Sequence, residues 1–97
     1  MIEFEWDPSK AEENLRRHRV DFRDAATIFR DLLGITVFDP CHSKEEDRYI
    51  TIGKSLAGRL LIVAHTDRGD RIRIISSREL TSSERKAYEN EIRRRKG

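Results

Sequence analysis

Arginines are grouped in the last third of this chain in a pattern that a packed core does not require. Residues 69–88 read GDRIRIISSRELTSSERKAY. Ile72 and Ile74 supply the inward face of a strand, Arg71 and Arg73 alternate with them, Arg78 follows, and Arg85 and Tyr88 lie one helical turn apart. Arginine's planar five-donor fork matches a phosphodiester better than a lysine point charge does, so the grouping points to phosphate and, through it, to nucleic acid. If such a nucleic acid is cut rather than only bound, a cut without a metal needs a base for the attacking hydroxyl, cations facing the growing charge on phosphorus, and an acid for the departing oxygen. His65, Arg73, Arg78 and Tyr88 are the candidate catalytic residues, with Arg71 and Arg85 as candidate RNA-binding residues. No paired-carboxylate or HxH motif points to a two-metal nuclease, and no cofactor is expected.

Each candidate also has a structural reading. His65 shares parity with Leu61 and Val63, so it is either a proton-transfer group or a hydrogen-bonded core histidine. Arg78 stands beside a helix start, where backbone amides favour anions, and it could equally be held by Glu79 or Glu84. Arg71 and Arg73 line the second face of the sheet if that face is concave and open; otherwise they are solvated. Tyr88 is positioned to stack on a base, to donate a proton or to anchor its helix. Trp6 reads as core, Asp7 as a helix cap, and His18 as a residue at a helix end.

The elements that must position these residues follow from periodicity. Ile2, Phe4 and Trp6 alternate with Glu3 and Glu5 as in a short half-buried strand. Asp7-Pro8 opens a helix running to about His18. Asp21 caps a second helix whose Phe22, Ala25, Ala26, Ile28, Phe29 and Leu32 are expected to face the core, ending at Gly34. Residues 35–38 read as a strand stopped by Asp39-Pro40, and His42 to Asp47 as a polar loop. Strands at 48–54, 58–66 and 70–77, joined by turns at 55–58 and 67–70, are expected to form an antiparallel meander. Thr81-Ser-Ser-Glu84 is a capping box opening a last, lightly docked helix to about Arg95.

Ninety-seven residues are expected to make one domain, 1–97, with an adequate core. The net charge of +2 hides an asymmetry: residues 1–67 hold 10 basic and 13 acidic side chains, residues 68–97 hold 10 and 5. That distribution fits a protein presenting one basic face to RNA or DNA. The single cysteine, Cys41, excludes an internal disulfide, and no spacing suggests zinc. The charged start does not read as a signal peptide and no apolar run approaches spanning length, so a cytoplasmic protein without membrane partners is expected.

The segments FEWDPSKAEENLRRHRVDFRDAATIF, RYITIG and RIRIISSRELTSSERKAY, in that order over nearly the whole chain, resemble the BrnT family of bacterial type II toxin–antitoxin toxins. Three positions depart from the family pattern: Arg19 stands where glycine is usual, Ser77 where alanine is usual, and Leu80 where alanine is common. The resemblance implies an α+β, RelE-like fold: a mainly antiparallel twisted sheet with two N-terminal helices and a C-terminal helix. It also implies a ribonuclease toxin that inhibits translation and growth, with RNA as substrate. Neutralisation by a cognate ribbon-helix-helix antitoxin, with operator DNA bound only through the complex, is implied as well. The rival reading is a non-catalytic module binding nucleic acid or a partner protein through the same basic face, although the chain has no recognisable groove-reading motif.

Overall fold

The computed structural model describes residues 2–96. Alternating β-branched and polar residues produce five strands: β1 (Glu3–Glu5), β2 (Ile35–Phe38), β3 (Arg48–Lys54), β4 (Leu60–Arg68) and β5 (Arg71–Glu79). They form one sheet in the order β1-β5-β4-β3-β2. β3, β4 and β5 form the expected antiparallel meander and β2 adds antiparallel to β3, while β1 runs parallel to β5 with Glu3, Phe4 and Glu5 opposite Arg71, Ile72 and Arg73. Two turns set the register. Gly58 and Gly69 carry φ of 86° and 66°, left-handed values that a side chain would strain.

Helix α1 (Pro8–His18) starts where Asp7 accepts a hydrogen bond from the Ser9 amide at 2.9 Å, with proline in the first turn. It ends at Arg19, which adopts φ 58°, ψ 32°, the left-handed capping conformation that glycine takes without cost. The glycine usual at this position in the resembled family thus has a backbone reason. Asn14, in the middle of α1 and only 5% exposed, docks the helix on the sheet. Its amide donates to the carbonyls of Ser77 (2.9 Å) and Val20 (3.1 Å) and accepts from the Ser77 N–H (3.0 Å), closing the β5 edge where β1 stops.

The second helix is shorter than its apolar spacing predicts. α2 (Phe22–Ala26) tightens into a 3-10 turn, Thr27–Arg30, with the Thr27 hydroxyl donating to the Asp24 carbonyl. The chain then turns at Asp31, whose carboxylate accepts from the amides of Leu33 and Lys54. Leu32 therefore leaves the helical face and is 99% exposed, which corrects its assignment to the core. The core is instead Val20, Phe22, Ala25 and Ile28 packed on Leu61, Val63 and Ile74, with Phe4, Trp6, Ala11, Ala26 and Phe29 around it. Each large side chain so buried contributes roughly 1.5–3 kcal/mol. Trp6 packs edge-on against Phe22 at 5.9 Å, in the core role expected of it.

Helix α3 (Ser82–Lys96) opens on the capping box: Glu84 N–H donates to Thr81 Oγ1 and Thr81 N–H to Glu84 Oε1. Tyr88 is its buried residue, and α3 is held at the Leu60 end of the sheet. The sheet face away from α2 carries Ile50, Ile52, Ile62 and Ala64, all half-buried.

β5 contains the irregularity that shapes this second face. His65 pairs with Ile74 and Ala64 with Ser76, leaving Ile75 unpaired in a β-bulge. Before the bulge, Ile72 and Ile74 point to the core, and Arg71 and Arg73 away from it. After the bulge the alternation is reset: Ser77 faces the core opposite Val63, and Arg78 joins the second face opposite Ile62. Arg73 and Arg78 have opposite sequence parity, yet the bulge brings them to the same side.

Candidate functional site

Cross-strand registers lay out the second face in rows. Glu5, Arg73, Thr66 and Arg48 stand side by side on β1, β5, β4 and β3, and beyond them lie Glu3, Arg71 and Arg68. On the other side of the first row, Ile50, Ile62, Ala64 and Ile75 floor a groove of about 340 Å³. Its rim comprises His18 from the end of α1, Asp39 and His42 from the β2–β3 connection, Arg48 from β3, and Ser76 and Arg78 from β5.

Nearly every arginine here already holds a carboxylate. Arg78 makes a two-pronged bond to Glu84 at 2.8 and 3.0 Å and also donates to the Glu79 carbonyl. The Arg78 guanidinium, with the Thr81 amide, lowers the Glu84 carboxyl to about 2. Arg73 donates to Glu5 at 2.9 Å, Arg71 lies 3.3 Å from Glu3, and Arg68 forms a fork on Glu46 at 2.8 and 3.0 Å. Arg48, half-buried, has no side-chain hydrogen bond or ion pair among the described residues. Sequence reasoning did not single it out, although it opens the RYITIG segment and shares parity with Ile50 and Ile52.

His65 lies on the other side of the sheet. It is 2% exposed, with Nε2 2.8 Å from the Thr51 hydroxyl and Nδ1 3.0 Å from Asp67, stacked on Tyr49 and edge-on to Phe29. Burial pushes its pKa down, opposed by Asp67. Arg85 and Tyr88 form a second group. They line a separate groove of about 470 Å³ with Lys54, Leu60, Arg93 and Lys96, and this groove shares no residue with the first. Tyr88 is 9% exposed and donates its hydroxyl to the Leu33 carbonyl at 3.2 Å; burial raises its pKa. The structure thus sets Arg71, Arg73 and Arg78 on one face of the sheet, with Arg78 alone of the three lining the groove, pairs Arg85 with Tyr88 elsewhere, and leaves His65 apart from both.

Sequence reasoning also missed the pairing of His42 with Asp39. The proline after Asp39 starts a 3-10 turn, Pro40–His42, which places the His42 Nδ1 2.8 Å from Asp39 Oδ2 at the groove rim. An Asp-Pro-x-His spacing was the available signal, but it read as a strand stop followed by a loop. Among the described residues, no group of three or more His, Cys, Asp or Glu side chains is placed to hold a metal ion. Cys41 is free and exposed.

The family model of the BrnT ribonuclease toxin of type II toxin–antitoxin systems matches residues 6–84. The chain belongs to the BrnT family. The match begins just after β1, takes in α1, the whole meander and the Arg78–Glu84 pair, and stops before Arg85 and Tyr88. The fold is similar to that of the Brucella abortus ribonuclease toxin BrnT, solved at 1.1 Å, with a TM-score of 0.61 and 21% identity over 84% of this chain and 100% of that one. A search of curated proteins found no match to the chain. The α+β class, with a five-stranded sheet and helices at both ends of the chain, is that of the BrnT family. No helix among the described residues is long and apolar enough to cross a membrane.

Proposed function

We propose that this chain is the endoribonuclease toxin of a type II toxin–antitoxin pair, cutting RNA without a metal ion and thereby inhibiting translation and growth. The observation that carries the reading is the groove rimmed by Arg48 and Arg78 beside the two rows that hold Arg73 and then Arg71 and Arg68. A phosphodiester entering the groove meets cations at its rim, and the chain on one side of it runs past further guanidinium groups. Arg78 and Arg73 stabilise the charge that develops on the phosphorane, Arg48 shares that work, and Arg71 positions phosphate. Arg85, with Lys54, Arg93 and Lys96, extends the cationic surface at the second groove. Tyr88 anchors α3 and His65 holds the β3–β4 face in register, since both are buried and bonded within the fold. The reaction is attack by the 2′-hydroxyl, leaving a cyclic phosphate.

A cognate antitoxin neutralises the protein by covering the arginine face. We assign it a ribbon-helix-helix domain, through which the complex binds operator DNA, and place the toxin in the cytoplasm. The decisive assay incubates the purified chain with labelled RNA in EDTA, beside an Arg78→Ala variant. Cleavage by the wild type, with a loss of about 10²- to 10³-fold in the variant, is expected. Tight binding of RNA that stays intact would instead establish the non-catalytic binding module.

A further inference from the structure

The arginines at the groove can hold phosphate and stabilise charge, but they move no proton. We propose that His42, oriented by Asp39, accepts the 2′-hydroxyl proton, and that His18, lining the same groove, gives a proton to the departing 5′-oxygen; the proposal rests on the ribonuclease reading. Both histidines line the groove with Arg48 and Arg78. Asp39 is held from several directions. Its Oδ1 accepts from the Cys41 amide at 3.2 Å, its carbonyl accepts from the Ser43 hydroxyl, and its N–H donates to the Arg48 carbonyl at 2.9 Å. Its side chain is 16% exposed, whereas that of His42 is 64% exposed. A fixed carboxylate bonded to Nδ1 selects the tautomer that carries its hydrogen there, so the lone pair on Nε2 is available, and it stabilises the imidazolium that forms when Nε2 takes a proton. His65 also has an aspartate on Nδ1, but its Nε2 is engaged by Thr51 and the ring is closed off from substrate.

The step balances without a further reactant. The 2′-hydroxyl proton passes to His42 Nε2 as the 2′-oxygen bonds to phosphorus. The P–O5′ bond breaks with its electron pair going to the 5′-oxygen, which takes a proton from the His18 imidazolium. The products are a 2′,3′-cyclic phosphate and a 5′-hydroxyl, and the two imidazoles exchange protons with water. Asp39 acts on the reaction through His42 and is therefore a positioning residue.

The test uses the full chain in EDTA on an RNA oligonucleotide whose cleavage step has been mapped with the wild type. A second oligonucleotide carries sulfur in place of the 5′-oxygen at that step, because a thiolate leaves without protonation. His42→Ala is expected to lose about 10²- to 10⁴-fold in rate on both substrates, to keep its RNA affinity, and to recover activity as imidazole is added. His18→Ala is expected to be slow on ordinary RNA and near wild type on the sulfur substrate. Asp39→Asn preserves the cap on Cys41 and is expected to slow cleavage at least tenfold without changing RNA affinity, because it disturbs the tautomer. Wild-type cleavage alongside an unimpaired His42→Ala, or one that imidazole does not restore, overturns the assignment and leaves the ribonuclease reading standing. A wild type that leaves RNA intact overturns both.

Discussion

Ser77 buries a hydroxyl oxygen with no hydrogen-bond partner among the described residues, at a position where the backbone is tied on both sides to Asn14. A buried hydroxyl without a partner costs about 1–3 kcal/mol, so Ser77→Ala is expected to stabilise the protein by roughly 1 kcal/mol in urea titration. This is the alanine that the family resemblance led one to expect. His65 makes the opposite kind of contribution, since its neutral form is the one the fold accommodates. Its folded pKa lies below the ordinary 6.5, so the unfolded chain binds the extra proton first. The stability it supplies is complete above about pH 6.5 and is lost as the pH falls towards the depressed folded value. Denaturation midpoints measured from pH 7.5 to 5 should fall with acid, and His65→Leu should flatten that part of the curve. From sequence, the parity of His65 with Leu61 and Val63 already allowed a core histidine. Nothing in the residues around Arg78 announced that its fork would lie on Glu84 rather than Glu79, because that depends on where α3 begins in space.

Helix α1 depends on two residues that periodicity treats as ordinary. Asn14 satisfies three buried backbone groups on β5 and the α1–α2 connection, and Asn14→Ala would leave them without partners at a cost of about 3 kcal/mol, seen as a lower denaturation midpoint with native secondary structure retained below it. Arg19 holds a left-handed backbone that favours glycine, and the carbonyl by which it binds Arg59 belongs to the main chain. Arg19→Gly should therefore keep that bond and raise stability by about 1 kcal/mol, equivalent to several degrees in Tm. The strands, turns and helix starts were legible because alternation, Asp-Pro, glycine and the capping box act locally. The early end of α2 was not, since the exit of Leu32 is fixed by Asp31 accepting the Lys54 amide from a distant strand. The bulge at Ile75 was not legible either. It has no glycine to mark it, and it decides whether Arg78 shares a face with Arg73.

At the scale of the whole molecule, the basic third of the sequence does not become a bare cationic surface. Glu3, Glu5, Glu46 and Glu84 come from other elements to meet Arg71, Arg73, Arg68 and Arg78. If RNA occupies the proposed face, its binding exchanges carboxylates for phosphates, which neutralises less charge than a count of arginines implies. Five unpaired arginines on single-stranded RNA would give a slope of log affinity against log salt near −3.5, at about 0.7 per contact. Fluorescence anisotropy across salt concentrations is expected to give a shallower slope, and Glu46→Gln a steeper one with tighter binding. A wild-type slope of −3.5 or steeper would show that the carboxylates have no influence. Charge asymmetry along the sequence picked out the arginine-rich third, but the pairing that tempers it required the fold.

The parallel pairing of β1 with β5 also has a consequence for biosynthesis. Glu3–Glu5 are translated well before Arg71–Arg73, their strand neighbour among the described residues, and the groove draws on residues from His18 through to Arg78. A ribosome that stalls before β5 releases a chain with no place for β1, no bulge and half a groove rim. The arginine face thus comes into being only in chains read through the last strand.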